Sequence, residues 1–97
     1  MRSRPELEMK KPIVGVVGCG VIGRSWAIVF ARAGAEVRLF DAQPGVAARS
    51  IDAIRRMLLA LDAEAESICE RLSASASLEA ALDRADYVQE SVSETVE

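Results

Sequence analysis

Two stretches decide the fold: Val14-Gly15-Val16-Val17-Gly18-Cys19-Gly20-Val21-Ile22-Gly23-Arg24-Ser25-Trp26-Ala27, and Glu36-Val37-Arg38-Leu39-Phe40-Asp41. Pro12 to Val17 is a short β-branched run without clean alternation, the pattern of a strand covered on both faces in a parallel sheet. A glycine-rich turn follows at once. From Ile22 the period changes: Ile22, Trp26 and Phe30 fall four apart with Ala27 and Ala31 beside them, which predicts the apolar stripe of a helix. Trp26 is accordingly expected in the core. Gly34 is placed to stop this helix, and Glu36 to Asp41 reads as a second strand with the acid at its end.

Glycines at 18, 20 and 23 spell G-x-G-x-x-G, which alone constrains little. Its context constrains more. The motif leaves a buried strand, opens a helix and is followed by a second strand, whose terminal Asp41 lies 18 positions after Gly23. Gly18 permits the tight turn, Gly20 lets a pyrophosphate approach the backbone, and Gly23 lets the helix pack closely. The unpaired N–H groups of the first helical turn, with Val21 and Ile22 among the residues touching the ligand, then face the phosphates. Asp41 is suited to accept hydrogen bonds from both hydroxyls of an adenosine ribose. A 2′-phosphate would be repelled there, and no Arg follows Asp41 closely in sequence. NAD is favoured over NADP, with FAD the other cofactor that uses this fingerprint.

Downstream, Pro44 suits a helical first turn. Ile51, Ile54, Leu58 and Leu61 mark the buried face of that helix. Ala63 to Arg71 reads as a shorter helix running through Ile68 and Leu72, Ser73 to Ser77 as a weak strand, and Leu78, Leu82 and Ala85 as a further short helix. Asp86 to Glu90 reads as a final strand. Alternating strands and helices predict an α/β fold, a doubly wound parallel sheet of the Rossmann type that stops after about four strands. Residues 1–11 are expected to be a flexible lead and residues 12–97 part of one dinucleotide-binding domain.

With 97 residues, 51% hydrophobic and 28% charged, the chain holds one globular domain. A net charge of −3 without a basic cluster beyond the N-terminal tail argues against nucleic acid. The apolar runs are too short for a membrane span, and no export signal is visible, so a cytoplasmic protein is expected. Cys19 and Cys69 have no partner at metal-ligand spacing, so no metal site is expected. The chain has no histidine, the usual proton shuttle at neutral pH.

Val14 to Asp41, together with Ala85-Asp86-Tyr87-Val88-Gln89-Glu90-Ser91-Val92-Ser93-Glu94, resembles the NAD-binding domain of the 3-hydroxyacyl-CoA dehydrogenase family. Gly23-Arg24-Ser25-Trp26-Ala27 is most similar to the branch of that family acting on gulonate and carnitine. The resemblance implies that Gly18, Gly20 and Gly23 hold the pyrophosphate and Asp41 the adenosine ribose. It also implies that Ser91 and Val92 line the nicotinamide half of NAD and that Glu94 contacts it. Thr95 departs from the family's usual Asn, and Leu59 to Ser77 is shorter than the helical hairpin that helps hold CoA, which leans toward a free hydroxy acid. The family's catalytic His–Glu pair, its substrate-binding C-terminal domain and its dimer interface all lie beyond the fourth strand. No catalytic residue is therefore expected in this chain, which alone should not turn over. The alternative is a self-sufficient, non-enzymatic module that binds NAD or a protein partner.

Cys19, inside the glycine loop near a helix start, has two readings: a redox-sensitive thiolate, or a small side chain at a variable position. The second is favoured because no second thiol is near in sequence. Arg49, Arg55 and Arg56 read as the solvated side of a helix.

Overall fold

The structure is a computed structural model that describes residues 11–91. Four parallel strands form one sheet: β1 (Ile13–Val17), β2 (Glu36–Phe40), β3 (Leu72–Ala74) and β4 (Tyr87–Glu90), in the order β3-β2-β1-β4. Between them run α1 (Val21–Arg32), α2 (Val46–Leu61), α3 (Ala65–Glu70) and α4 (Leu78–Leu82). The strand order reverses between β1 and β4, which opens a crevice at the carboxyl ends of these strands.

The two faces of the sheet are covered unequally. Val14, Val16, Val37 and Leu39 point to one side and pack with Ala27 and Ala31 of α1, Ile54 and Leu58 of α2, and Ile68 and Cys69 of α3. The other face carries α4, which lies so close that a Cβ on Gly15 would come 2.9 Å from the Ala81 carbonyl oxygen. Arg38 crosses this face and donates to the carbonyls of Ala80 and Asp83, at 3.1 and 2.6 Å, which satisfies acceptors at the end of α4. α1 ends as its sequence predicts. Gly34 has φ +107, its N–H donates to the Ala31 carbonyl, and the Ala35 N–H donates to that of Phe30, the paired bonds of a Schellman cap.

The expected stripe on α1 is wrong by one position. Gly23, Ala27 and Ala31 face the sheet, whereas Ile22 is 59% and Trp26 39% exposed and Phe30 is half-buried. Small residues win the inner face because α1 lies close against the sheet, where larger side chains would prop it away. Trp26 stacks on Phe30, and Phe30 packs against Tyr87 of β4, with ring centroids 5.6 Å apart in each pair. This aromatic row runs beside the outer edge of β4, which has no partner strand among the described residues.

Other corrections are smaller. α2 buries Ala47, Ser50, Ile54 and Leu58; Ile51 is half-buried and Leu61 is exposed, because the inner face drifts round the helix. Pro44 precedes α2: it occupies the second position of a turn closed by the Val46 N–H on the Gln43 carbonyl, with Gly45 at φ +83 in the third. Leu72 belongs to β3, paired with Val37, because burial at the sheet edge outweighs its helical spacing from Ile68. No helix among the described residues is long and apolar enough to cross a membrane.

Candidate functional site

The glycine loop sits where β1 and β2 end. Gly18, at φ +95, adopts a backbone conformation that side chains disfavour, and its N–H donates to the Phe40 carbonyl at 2.8 Å. Gly20 is the N-cap of α1, and a Cβ there would meet no atom within 4 Å. Its lack of a side chain therefore answers to nothing among the described residues and leaves open space over the helix start. Gly23 is different: a Cβ would overlap the Gly18 carbonyl oxygen and come 2.9 Å from its carbon. The loop can close onto the helix only because residue 23 has no side chain.

The start of α1 is left free for an anion. No side chain caps it and its first turn carries no acid. The Arg24 N–H reaches the Gly20 carbonyl at 2.9 Å, so the N–H groups of Val21, Ile22 and Gly23 precede the first intrahelical bond. Val21 and Ile22 are exposed.

Asp41, just past β2, turns toward this loop. One carboxylate oxygen accepts the Cys19 N–H at 2.8 Å, and the other accepts the Gln43 N–H at 2.9 Å. A carboxylate has about four acceptor positions, so each oxygen keeps a lone pair for a further donor such as a ribose hydroxyl. From the other side, the buried Ser50 hydroxyl donates to the Cys19 carbonyl at 2.7 Å. Residue 19 is thus pinned through both its N–H and its carbonyl. Ser50 was missed in the sequence, although a serine four residues before Ile54 on the buried stripe was a usable signal.

Ser91 follows β4, and its N–H donates to the Val17 carbonyl at 2.7 Å. Its Cβ stands 3.7 Å from where a Gly23 Cβ would be, so β4 delivers Ser91 directly beside the glycine loop. Its buried hydroxyl has no hydrogen-bond partner, the one such side chain among the described residues. An orphaned buried hydroxyl is unfavourable unless something else satisfies it. Gly18, Gly20, Val21, Ile22, Gly23, Asp41 and Ser91 therefore gather at one sheet edge. Val92 and Glu94, expected to join them, lie outside the described residues, as does most of the expected flexible lead.

Cys19 is 2% exposed, and its thiol lies 3.5 Å from the Phe40 carbonyl. Burial, reinforced by the negative charge of Asp41 and partly opposed by Arg24, raises its pKa to about 11. A buried thiol held in its neutral form fits the small-side-chain reading rather than the redox-sensitive thiolate. The neutral thiol is the form the fold favours, so its contribution is complete below pH 9.0, the ordinary value. As pH rises from there toward about 11, the unfolded chain ionises first and stability declines. Melting curves across that window should show the decline, and Cys19→Ala should flatten it. An equal decline in the variant would assign the effect to other groups. Among the described residues no cluster of three or more His, Cys, Asp or Glu side chains is arranged to hold a metal.

The fold also gathers charges that sequence proximity does not reveal. Arg24 of α1 and Arg49 of α2 line one open cleft beside Cys19 and Gly20.

The family model described as 3-hydroxyacyl-CoA dehydrogenase, NAD binding domain, matches residues 13–97. The chain is similar to the lambda-crystallin homolog of Bos taurus, 37% identical over 92 residues, which are 87% of this chain and 29% of that protein. It is also similar to L-carnitine dehydrogenase of Oceanobacillus iheyensis, 38% identical over 92 residues, covering 92% of this chain and 29% of the relative. Among solved structures, 3-hydroxybutyryl-CoA dehydrogenase of Escherichia coli superposes with a TM-score of 0.77 at 33% identity, over 90% of this chain and 20% of that one. FadB2 of M. tuberculosis gives 0.75 at 28% identity, over 88% and 32%. The chain therefore spans under a third of the length of the curated relatives named here.

Proposed function

The chain belongs to the 3-hydroxyacyl-CoA dehydrogenase family through its NAD-binding domain, and from that premise we propose that it is the cofactor-holding part of a dehydrogenase acting on a 3-hydroxy acid or its CoA thioester. Residues 12–97 are the first part of a Rossmann domain in this reading, and the substrate domain and catalytic base lie in the remainder of the parent protein. When bound, NAD supplies the hydride acceptor for oxidation at carbon 3. This chain's residues bind and orient it. The open first turn of α1 meets the pyrophosphate, Asp41 meets the adenosine ribose, and Ser91, Val92 and Glu94 line the nicotinamide half. The isolated chain carries no catalytic group and should not turn over.

The observation that carries this reading is the pairing of an uncapped helix start with open space at Gly20. The similarity to a relative named for carnitine, with the short segment between Leu59 and Ser77, favours a free hydroxy acid over a thioester. A cytoplasmic location fits this chemistry. The parent is expected to form a homodimer, with a small-molecule substrate as its partner rather than nucleic acid or a membrane.

Calorimetric titration of NAD into the chain tests the cofactor reading, and saturable one-to-one binding is expected. Ser91→Ala sharpens the test. Removing a hydroxyl that bonds to nothing among the described residues should leave the melting temperature unchanged or slightly higher. If the cofactor satisfies that hydroxyl, NAD affinity should fall about fivefold, the worth of one hydrogen bond of about 1 kcal/mol. Unaltered NAD affinity in the variant would exclude Ser91 from the site.

A further inference from the structure

The two helices beside the glycine loop each carry an arginine where helix electrostatics disfavours one. α1 starts at Gly20 and α2 at Gly45; neither has a side-chain cap, and neither carries an acid in its first turn. Four residues after each glycine, an arginine turns back over the helix start. The Arg24 Nε donates to the Gly20 carbonyl at 3.4 Å. The Arg49 guanidinium lies over Gly45, where a Cβ would come 2.7 Å from its Nη1. A cation at the N-terminal end of a helix opposes the macrodipole. Both arginines also line one open cleft of about 380 Å³, shared with Cys19, Gly20, Val46 and Ser50 and lined by no carboxylate. Among the described residues the ion pairs are Arg32–Asp62 and Arg38–Glu36, neither of which involves them. Burial and Asp41 raise the Cys19 pKa and Arg24 opposes them, so the charge of Arg24 is felt inside the loop.

We propose that Arg24 and Arg49 clamp the diphosphate bridge of NAD between α1 and α2. The proposal rests on the cofactor site described above and adds two binding residues to it. Gly20 belongs both to that site and to the cleft, so a diphosphate at the start of α1 borders both guanidinium groups. It brings two negative charges to two cations without a carboxylate partner and to two uncapped helix starts. Guanidinium and phosphate pair through parallel, charge-assisted hydrogen bonds. One arginine comes from each helix, so the same bridge ties α1 to α2. An arrangement that costs stability in the free chain thereby becomes favourable in the complex.

Calorimetric titration of NAD into the 97-residue chain and into its Arg24→Ala/Arg49→Ala variant tests this, with melting curves of both free proteins. The double variant should bind NAD at least about tenfold more weakly. Its own melting temperature should stay the same or rise, because a cation leaves each helix start. Arg24→Lys/Arg49→Lys, which keeps both charges but loses the planar fork, should recover part of the affinity. Added salt should weaken NAD binding to the unaltered chain more than to the alanine variant. Affinity of the alanine variant within about twofold of the unaltered chain would overturn the proposal. So would an equal salt response in both proteins. A lower melting temperature with equal losses in the alanine and lysine variants would make the arginines structural, and would also overturn it. If the unaltered chain binds no NAD, the cofactor reading falls and the clamp with it; if both proteins bind NAD alike, only the clamp is lost.

Discussion

Gly23→Ala is expected to unfold the chain or to strip it of NAD affinity. The new methyl group would overlap the Gly18 carbonyl oxygen and crowd its carbon at 2.9 Å. Both neighbours are backbone, so no side chain can rotate away, and the turn itself is fixed by the Gly18 N–H on Phe40. Relief requires α1 to move off the sheet, which would uncover Ala27 and Ala31 and displace the helix start. The cost should reach the upper end for overpacking, about 3 kcal/mol, or roughly 12–24 °C in a domain of this size. Thermal unfolding followed by circular dichroism measures it. A variant that melts with the parent and still binds NAD would show that the loop is not packed as described.

Asp41→Ala should be nearly as damaging, by a different route. The carboxylate organises the protein as well as its proposed ligand site, since it accepts the N–H groups of Cys19 and Gln43. Removing it leaves both donors without that partner, at a cost of about 1–3 kcal/mol each where water cannot replace it. NAD binding should weaken about a hundredfold, as two ribose hydroxyls lose hydrogen bonds to a charged acceptor. Asp41→Asn retains one acceptor oxygen and should be milder on both counts. If Asp41→Ala binds NAD as tightly as the parent, the ribose is held elsewhere.

The path of the chain up to Asp41 was largely legible because each signal there is local. A β-branched run, three glycines at fixed spacing, a Gly stop and an acid at a strand end each act within a few residues. The failures came where distant elements choose between equivalent faces. Periodicity marks an apolar stripe at Ile22, Trp26 and Phe30, but the sheet selects the adjacent row of Gly23, Ala27 and Ala31. Arg49 reads in sequence as helix surface and Ser50 gives no signal of its partner, because their relation to Cys19 and Gly20 spans about 30 positions and exists only after β1 and β2 pair. Gly15 falls in the same class: its need for no side chain comes from α4, far along the chain. Ser91 was named from resemblance alone, and its unsatisfied hydroxyl is visible only in three dimensions.

Trp26 is the chain's single tryptophan, stacked on Phe30 and half open to solvent beside the free margin of β4. Its indole therefore works as a built-in optical probe. Fluorescence from this one ring should shift to the blue whenever a further segment, domain or copy settles over that margin. Because the same helix begins at the glycine loop, a quenching titration can compare ligand arrival at one end with occlusion along its side, without any added label.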